Sequence, residues 1–407
     1  MMKQYILNLL LCLMAPLYLH ATEYISLKSA IDSALAHNME IKNQELLKDY
    51  YQRLKGGSLT LPQAGFTFEA GQINSDYNDT KLSISQTIQF PTVYTHQKNL
   101  LKDEWDEAII GIALTKKQIK KVVTEMYYHI LILKEKERLL QYSDSINSVF
   151  SHKANLRFQK GESNIIEKNS AEAERGKITL QLLAIQNDIE LNVLRFQLLL
   201  HTQAIYTPEQ ESLYDFPAIF KDTAELQNHP LLQLYQSKIQ KAHTSLSLEK
   251  AKFLPELSIG LSNQSIQGIG TDNISYSTSQ RFNAFSIGIG IPHIFGAQSS
   301  IIEASEAHIK LTEHQLLSEQ EKLYNDVQSS FATYKTDSIS LEFIQKHQLP
   351  LILEISHAAE KQYSTGEIDF LQWVTLQNEA ITIQNNYLDM LNELHSIVSH
   401  IQYILAQ

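Results

Sequence analysis

The sequence predicts a mainly α-helical chain with a membrane-type β part, in which one strand–strand–long helix–helix unit is used twice. Three observations carry that prediction. An alternating stretch at 81–94 stops at a proline, a sevenfold apolar spacing follows it, and the same order returns in the other half of the chain.

In the alternating stretch Leu82, Ile84, Ile88 and Phe90 fall on one side, and Lys81, Ser83, Ser85, Thr87 and Gln89 on the other. A period of two with one apolar and one polar side describes a β-strand with two different faces. Pro91 ends it, because proline cannot donate to a ladder and suits the first turn of a helix. The preceding strand runs from Leu61 to Ala70, with Phe66, Phe68 and Ala70 on one face and the polar loop 74–79 behind it. Upstream, Ile31, Leu35, Met39, Leu46 and Leu47 predict one helix over 26–54 that stops at Gly56-Gly57.

Behind Pro91, Trp105, Ile112, Ile119, Met126, Leu133 and Leu140 recur every seventh residue, with Val123 and Ile130 between them. Such spacing marks a coiled-coil helix. At 1.5 Å per residue, roughly 65 residues from Thr92 reach about 100 Å. Gly161 supplies the stop, Ser163 is a candidate cap for the return helix, and Ile178, Leu182, Ile185, Ile189 and Leu194 carry that helix to about Leu200.

The order then repeats. Asn228-His229-Pro230 answers His37-Asn38-Met39, Phe253-Leu254-Pro255 answers Thr60-Leu61-Pro62, Pro292 answers Pro91, and Gly366 answers Gly161. The offsets only grow, from 191 to 205, as in a duplication with small insertions. The division is a leader at 1–21, a first repeat at 22–207 with its hairpin at 61–90 and helical hairpin at 92–201, and a linker at 208–227. The second repeat, 228–407, has its hairpin at 254–291 and helical hairpin at 293–405.

Composition narrows the function. Lys3 is the only charge in the leader, whose apolar core is interrupted by Pro16, and Leu19-His20-Ala21 resembles a cleavage site. The single cysteine, Cys12, lies inside that leader behind Leu11 and not behind a small residue, which argues against lipidation; the mature chain is expected to lack disulfides and thiolate ligands. Against 34 basic residues stand 45 acidic ones, a net charge of −11 that speaks against nucleic acid as a partner. No stretch after the leader is apolar enough for a spanning helix, but strands of about 9–11 residues can build a membrane barrel. Four strands cannot close alone, and an open edge is not viable in lipid. The chain therefore either oligomerises or stays out of the membrane.

Catalytic signatures are absent from the sequence: there is no His-Glu-x-x-His pair, Gly-x-Ser-x-Gly elbow or phosphate-binding glycine loop. No enzyme and no cofactor are expected. Fifteen histidines invite a metal reading, yet His308 and His314 are six apart and His395 and His400 five apart. Neither spacing stacks two imidazoles on one helix face, so no metal site is expected. Tyr127 and Tyr128 read as helix–helix contacts.

The duplicated order resembles the TolC family of trimeric outer-membrane efflux ducts. Leu61-Pro62, Phe253-Leu254-Pro255, Pro91, Pro292 and the tip segments Arg157-Phe158-Gln159-Lys160-Gly161-Glu162 and Gln362-Tyr363-Ser364-Thr365-Gly366-Glu367 carry the resemblance. Gln89-Phe90-Pro91-Thr92-Val93-Tyr94 and Gly366-Glu367-Ile368-Asp369-Phe370 look most like the branch that serves heavy-metal exporters of the resistance-nodulation-division type.

The resemblance implies a homotrimer closing a 12-stranded barrel in outer-membrane lipid, continued by a helical tunnel into the periplasm. It implies a periplasmic adaptor bound at the tips, with Arg157, Gly161, Glu162, Tyr363 and Gly366 as contact positions, and an inner-membrane pump beyond it. Positions that carry entrance aspartates in many members correspond here to the uncharged Gln372 and Thr375, while Glu367 and Asp369 lie nearer the tip; these four are the expected periplasmic entrance. Heavy-metal cations are the favoured cargo and drugs or small organic molecules the alternative. A rival reading of a different class is a secreted coiled-coil scaffold or adhesin.

Overall fold

The computed structural model describes residues 23–405, apart from 75, 203, 218, 220–223 and 292–296. The leader and the strand-ending Pro292 lie outside the described residues. Two compact units divide the chain. A helical unit holds the described residues up to 41 with 115–225 and those from 325 onward; a sheet unit holds 42–114 and 226–324. Each unit draws on both halves of the sequence.

The sheet unit is built on β2 (Gly65–Gly71), β3 (Asp79–Ile88), β5 (Glu256–Ser265) and β8 (Arg281–Gly290). They pair antiparallel in the order β2-β3-β5-β8, so the two hairpins join through β3 and β5, and β2 and β8 are left as edges. β2 begins at Gly65 and not at Leu61. Pro62 has no N–H for the ladder, and its carbonyl accepts a hydrogen bond from Gln86 Nε2 at 2.7 Å instead. A small pair, β6 (Gly268–Ile269) and β7 (Ser275–Tyr276), occupies the longer tip of the second hairpin.

The helical unit opens with β1 (Glu23–Ile25), which pairs in parallel with β4 (Tyr206–Pro208). Both lie where only a leader boundary and a linker were expected. The single helix expected over 26–54 is two, α1 (Leu27–His37) and α2 (Met39–Gly56). Asn38 makes the break. Its extended backbone ends α1, its Oδ1 accepts from Glu40 N at 2.9 Å to start α2, and its Nδ2 donates to the Leu199 carbonyl at 3.3 Å. An asparagine that satisfies backbone groups on both sides favours a cap over an uninterrupted helix.

α3 (Pro91–Gln159) runs 69 residues, starting at the proline as its fixed φ allows. Of the sevenfold stripe, Ile119, Leu133 and Leu140 are buried, as are Val123 and Ile130 between them. Tyr127, wholly buried and packed edge-on to Phe196, takes the core position beside the half-buried Met126. α4 (Ile165–Leu200) returns, and its cap is Asn164, not Ser163: Asn164 Oδ1 accepts from Glu167 N at 2.9 Å.

In the second half, α5 (Pro230–Ala251) is capped by His229. α6 (Ala297–Phe343) reaches α7 (Leu349–Thr365) through one widened turn, Ile344–Gln348, in which Leu349 N donates back five residues to the Ile344 carbonyl. Pro350 explains it, because its ring clashes with the carbonyl four residues back and it has no N–H to offer. α8 (Phe370–Leu405) is the most buried helix, with Trp373, Leu391, Leu394, Val398 and Ile401 on its core side.

The strap 206–217 is held to α8 by His395, which sequence spacing had placed only as a non-ligand. Its ring stacks on Tyr128 at 3.9 Å and against Phe216 at 4.5 Å, and Nε2–H donates to the Leu213 carbonyl at 2.9 Å. Burial pushes this imidazole down to about 4. The folded chain thus refuses a proton that the unfolded chain takes near 6.5. Stability is fully present above pH 6.5, declines as pH falls, and by pH 4 has lost about 3 kcal/mol from this group. Melting curves from pH 7.5 to 4.5 should therefore fall more steeply for the natural chain than for His395→Gln, which keeps the donor without the titration. Parallel curves would remove His395 as the cause.

Candidate channel wall and docking tips

The register of the sheet sorts its side chains into two faces. On one, Gly65, Ser85, Gly260 and Ser286 form a row across all four strands, followed by Thr67, Ser83, Ser262 and Ala284. Thr87, Ser258 and Gly288 continue it. These side chains are small and mostly hydroxyl-bearing. A Cβ on Gly260 would come within 2.6 Å of Ser286 Oγ, so serine hydroxyls fill the notches beside the glycines. Nearer the loops, Glu69 and Lys81 pair across the same face at 3.6 Å.

On the opposite face the rows read Phe66, Ile84, Leu261, Phe285, and then Ile88, Leu257, Ile289. Phe66 is 67% exposed, Ile84 50%, Leu261 61% and Phe285 60%. A contiguous apolar band of this kind is not left to water. One apolar face and one hydroxyl-rich face per strand is the pattern of a barrel wall between lipid and an aqueous lumen.

The two helical tips share one geometry. Gly161 N donates to the Phe158 carbonyl at 3.0 Å and Glu162 N to the Arg157 carbonyl at 2.8 Å. Gly366 N donates to the Tyr363 carbonyl at 3.1 Å and Glu367 N to the Gln362 carbonyl at 2.8 Å. The glycines have φ of 73° and 81°, the left-handed stop in which glycine has no steric cost. After each stop comes a helix cap, one-way in the first tip and reciprocal in the second. Asn164 and Glu167 stand three apart in the first; in the second, Asp369 Oδ1 accepts from Gln372 N at 2.7 Å and Gln372 Oε1 from Asp369 N at 3.2 Å. Asn-x-x-Glu and Asp-x-x-Gln are legible capping-box signals, overlooked in favour of Ser163 in the first tip and of the entrance reading in the second.

Glu167 ties the tips together, accepting from Arg157 Nη1 at 2.9 Å and from the Tyr363 hydroxyl at 3.1 Å. Tyr363, one of the expected contact positions, differs from the others in its surroundings. It is buried, packed among Phe150, Phe370 and Trp373, and only its hydroxyl reaches Glu167. Burial and the Glu167 carboxylate push that phenol up to about 12. Arg157 is partly exposed and engaged with Glu167, whereas Gly161, Glu162 and Gly366 are exposed.

Of the expected entrance positions, Glu367, Asp369, Gln372 and Thr375 are all exposed, but each is locally engaged. Glu367 accepts from Thr365 Oγ1 at 3.0 Å, Asp369 and Gln372 form the cap, and Thr375 Oγ1 donates to the Leu371 carbonyl at 2.9 Å.

Histidines are dispersed. His308 and His314 are exposed, and His400 bridges Lys121 at 2.9 Å and Asp326 at 3.0 Å. Among the described residues no three His, Cys, Asp or Glu side chains gather as a metal site would require, and no helix is long and apolar enough to cross a membrane.

A four-stranded wall with a lipid-type face, joined to two capped helical hairpins, defines the fold of the outer-membrane efflux channels. In that fold three copies give twelve strands, continued by a helical tunnel. Residues 223–406 match the family model described as Outer membrane efflux protein, a class of transport channels without enzymatic chemistry. No curated protein matches the chain.

Solved structures extend the likeness over nearly the whole length. CusC, described for its folding and transmembrane channel formation, superposes with a TM-score of 0.76 at 13% identity over 96% of this chain and 95% of its own. The CmeC outer membrane channel of Campylobacter jejuni gives a TM-score of 0.77 at 13% identity, covering 93% and 85%. The open state of the MtrE outer membrane channel of Neisseria gonorrhoeae gives 0.69 at 13% identity, covering 93% and 88%.

Proposed function

We propose that this chain is the outer-membrane component of a tripartite efflux system, a passive channel carrying heavy-metal cations from an inner-membrane pump of the resistance-nodulation-division type. The single observation that carries the reading is the sheet: one exposed apolar face, one hydroxyl-rich face, and two strand edges open to neighbours. Edges in lipid must be paired, and three copies supply twelve strands. The helices agree with association, because α4 leaves Leu180, Leu191, Leu194 and Leu198 exposed on one side. The protein then sits in the outer membrane with its helices in the periplasm, where an adaptor docks on the tips. The two repeats, 22–207 and 228–407, each contribute one hairpin and one helical hairpin. Heavy-metal cargo rests on the motifs around Pro91 and Gly366, and CusC stands among the structural relatives.

Electrophoresis of unboiled, detergent-extracted outer membrane tests the assembly; the expected band runs at about three times the monomer mass. A water-soluble monomer would instead support the secreted scaffold. A deletion strain should become sensitive to copper, zinc or cobalt, and sensitivity to drugs alone would replace the metal cargo by organic molecules.

The tips make a second test. No atom stands within 4 Å of a Cβ built on Gly161 or Gly366, so alanine there costs only its left-handed backbone, about 1–2 kcal/mol each. The doubly substituted Gly161→Gln, Gly366→Gln chain, bulky but unbranched at Cβ, should keep its trimer and surface level yet lose resistance. Loss of the trimer would assign the glycines to folding alone.

A further inference from the structure

On the apolar face of the sheet the rows change character towards the hairpin tips. Beyond Phe66, Ile84, Leu261 and Phe285 comes the row Phe68, Leu82, Asn263 and Asn283, and one row further Ala70 and Thr80 with Ser265 and Arg281. Side chains alternate between faces along a strand, so Glu69, Asp79, Lys81 and Glu256 belong to the hydroxyl-rich side. Arg281 is then the only ionisable side chain that these four strands place on the apolar face.

Its guanidinium is fixed. Nε donates to Asn263 Oδ1 at 2.6 Å, Nη2 to the Asn263 carbonyl at 3.0 Å and Nη1 to Thr80 Oγ1 at 2.6 Å. Asn263 is held in turn, its Nδ2 donating to Asn283 Oδ1 at 2.7 Å. The side chain thus lies from β8 across β5 to β3, with all three acceptors neutral. Two of the five guanidinium N–H groups keep no partner among the described residues, and no carboxylate pairs with the cation there. The residue is exposed.

Height fits a boundary. Arg281 and Ile289 are eight residues apart on β8, about 27 Å of strand. A tilt of about 40° makes this about 20 Å, against an apolar band about 25 Å tall in membrane barrels. An arginine on a lipid face is tolerated near such a margin, where its head meets headgroups while its stem covers apolar surface. A fixed guanidinium with N–H groups to spare selects phosphate oxygens over a neutral headgroup. The apolar rows directly below it receive acyl chains, so a phosphate-bearing lipid matches both parts of the surface.

We propose that Arg281, carried on the collar of Thr80, Asn263 and Asn283, binds the phosphate of a lipid headgroup in the outer leaflet. The inference rests on the reading of the sheet as a membrane wall whose helices lie in the periplasm. The hairpin tips, and Arg281 with them, then face the exterior.

Native mass spectrometry of the detergent-extracted full-length assembly, titrated with diphosphoryl lipid A, tests it. The expected result is about one lipid per chain, weakened about tenfold by Arg281→Gln and about threefold by Arg281→Lys, which keeps the charge and loses the fork. Lipid A stripped of both phosphates should bind the natural chain as weakly as the intact lipid binds Arg281→Gln. Equal binding of intact lipid by the natural chain and Arg281→Gln would overturn the site. If Arg281→Gln does not assemble, Arg281→Lys decides, and binding equal to that of the natural chain overturns it. Displacement of the lipid by inorganic phosphate at the same concentration would also overturn it, in favour of a soluble oxyanion. The unboiled outer-membrane band is read in parallel. A natural chain missing from the outer membrane sinks the channel reading itself, whereas a normal band with lipid binding indifferent to Arg281 sinks this inference alone.

Discussion

Trp373→Ala should be the most damaging single substitution in the helical unit, costing about 3–5 kcal/mol. Trp373 is wholly buried, with ring centroids 4.0 Å from Phe150, 5.7 Å from Tyr363 and 5.6 Å from Phe370. These rings come from α3, α7 and α8, so the cluster decides whether both tips hold one arrangement. Its indole N–H has no acceptor, which means the residue contributes volume and ring contact rather than a hydrogen bond. Trp373→Phe should therefore recover most of the loss. Denaturant melts of the three chains, with limited proteolysis near Lys160 and Lys361, provide the measurement. A Trp373→Ala chain that melts like the natural one and resists cleavage would show that the tips hold without this cluster.

Leu261→Arg should have the second large effect, on assembly rather than on the tips. Leu261 sits on β5, an inner strand, in the exposed apolar row with Phe66, Ile84 and Phe285. On the lipid face of a barrel an arginine at mid-depth costs about 2–4 kcal/mol per copy. Its neighbour Ser262 lies on the other face, so Ser262→Arg should insert normally and instead narrow the lumen. Outer-membrane fractionation separates the two, since Leu261→Arg should be depleted and Ser262→Arg retained. The opposite outcome would invert the assignment of the faces.

This inversion test is possible because alternation in a strand was readable directly. The 81–90 stretch shows both faces, and β5 and β8 repeat them, so the wall was legible before any coordinates. The long helices were equally legible from the sevenfold stripe, and the two tip glycines from their place after it. What escaped depended on pairings that no periodicity encodes. Asn38 breaks a helix because a distant carbonyl, that of Leu199, is there to receive its amide. β1 and β4 are three residues each, too short to alternate.

The tips were half-read. Position identified them, but burial did not follow from position. Tyr363, in a segment expected to meet a partner, faces inward because Phe150 and Trp373 arrive from other helices. Asp369 and Gln372, read as part of an entrance, serve first as a reciprocal helix cap, a local demand met before any long-range one.

The widened turn before Pro350 has a consequence for how the chain tolerates changes of length. A turn of this kind holds one residue more than an ordinary helical turn while the helix on either side keeps its course. From Pro292 to Gly366 the second half carries four more residues than the first does from Pro91 to Gly161, yet both reach the same stop geometry. Residues 344–348 take up one of those four as slack in the helix. A single deletion there, with Pro350 replaced, takes up that slack. The same deletion inside α8 would swing its buried stripe by about 100° and leave Leu391 and Ile401 facing water.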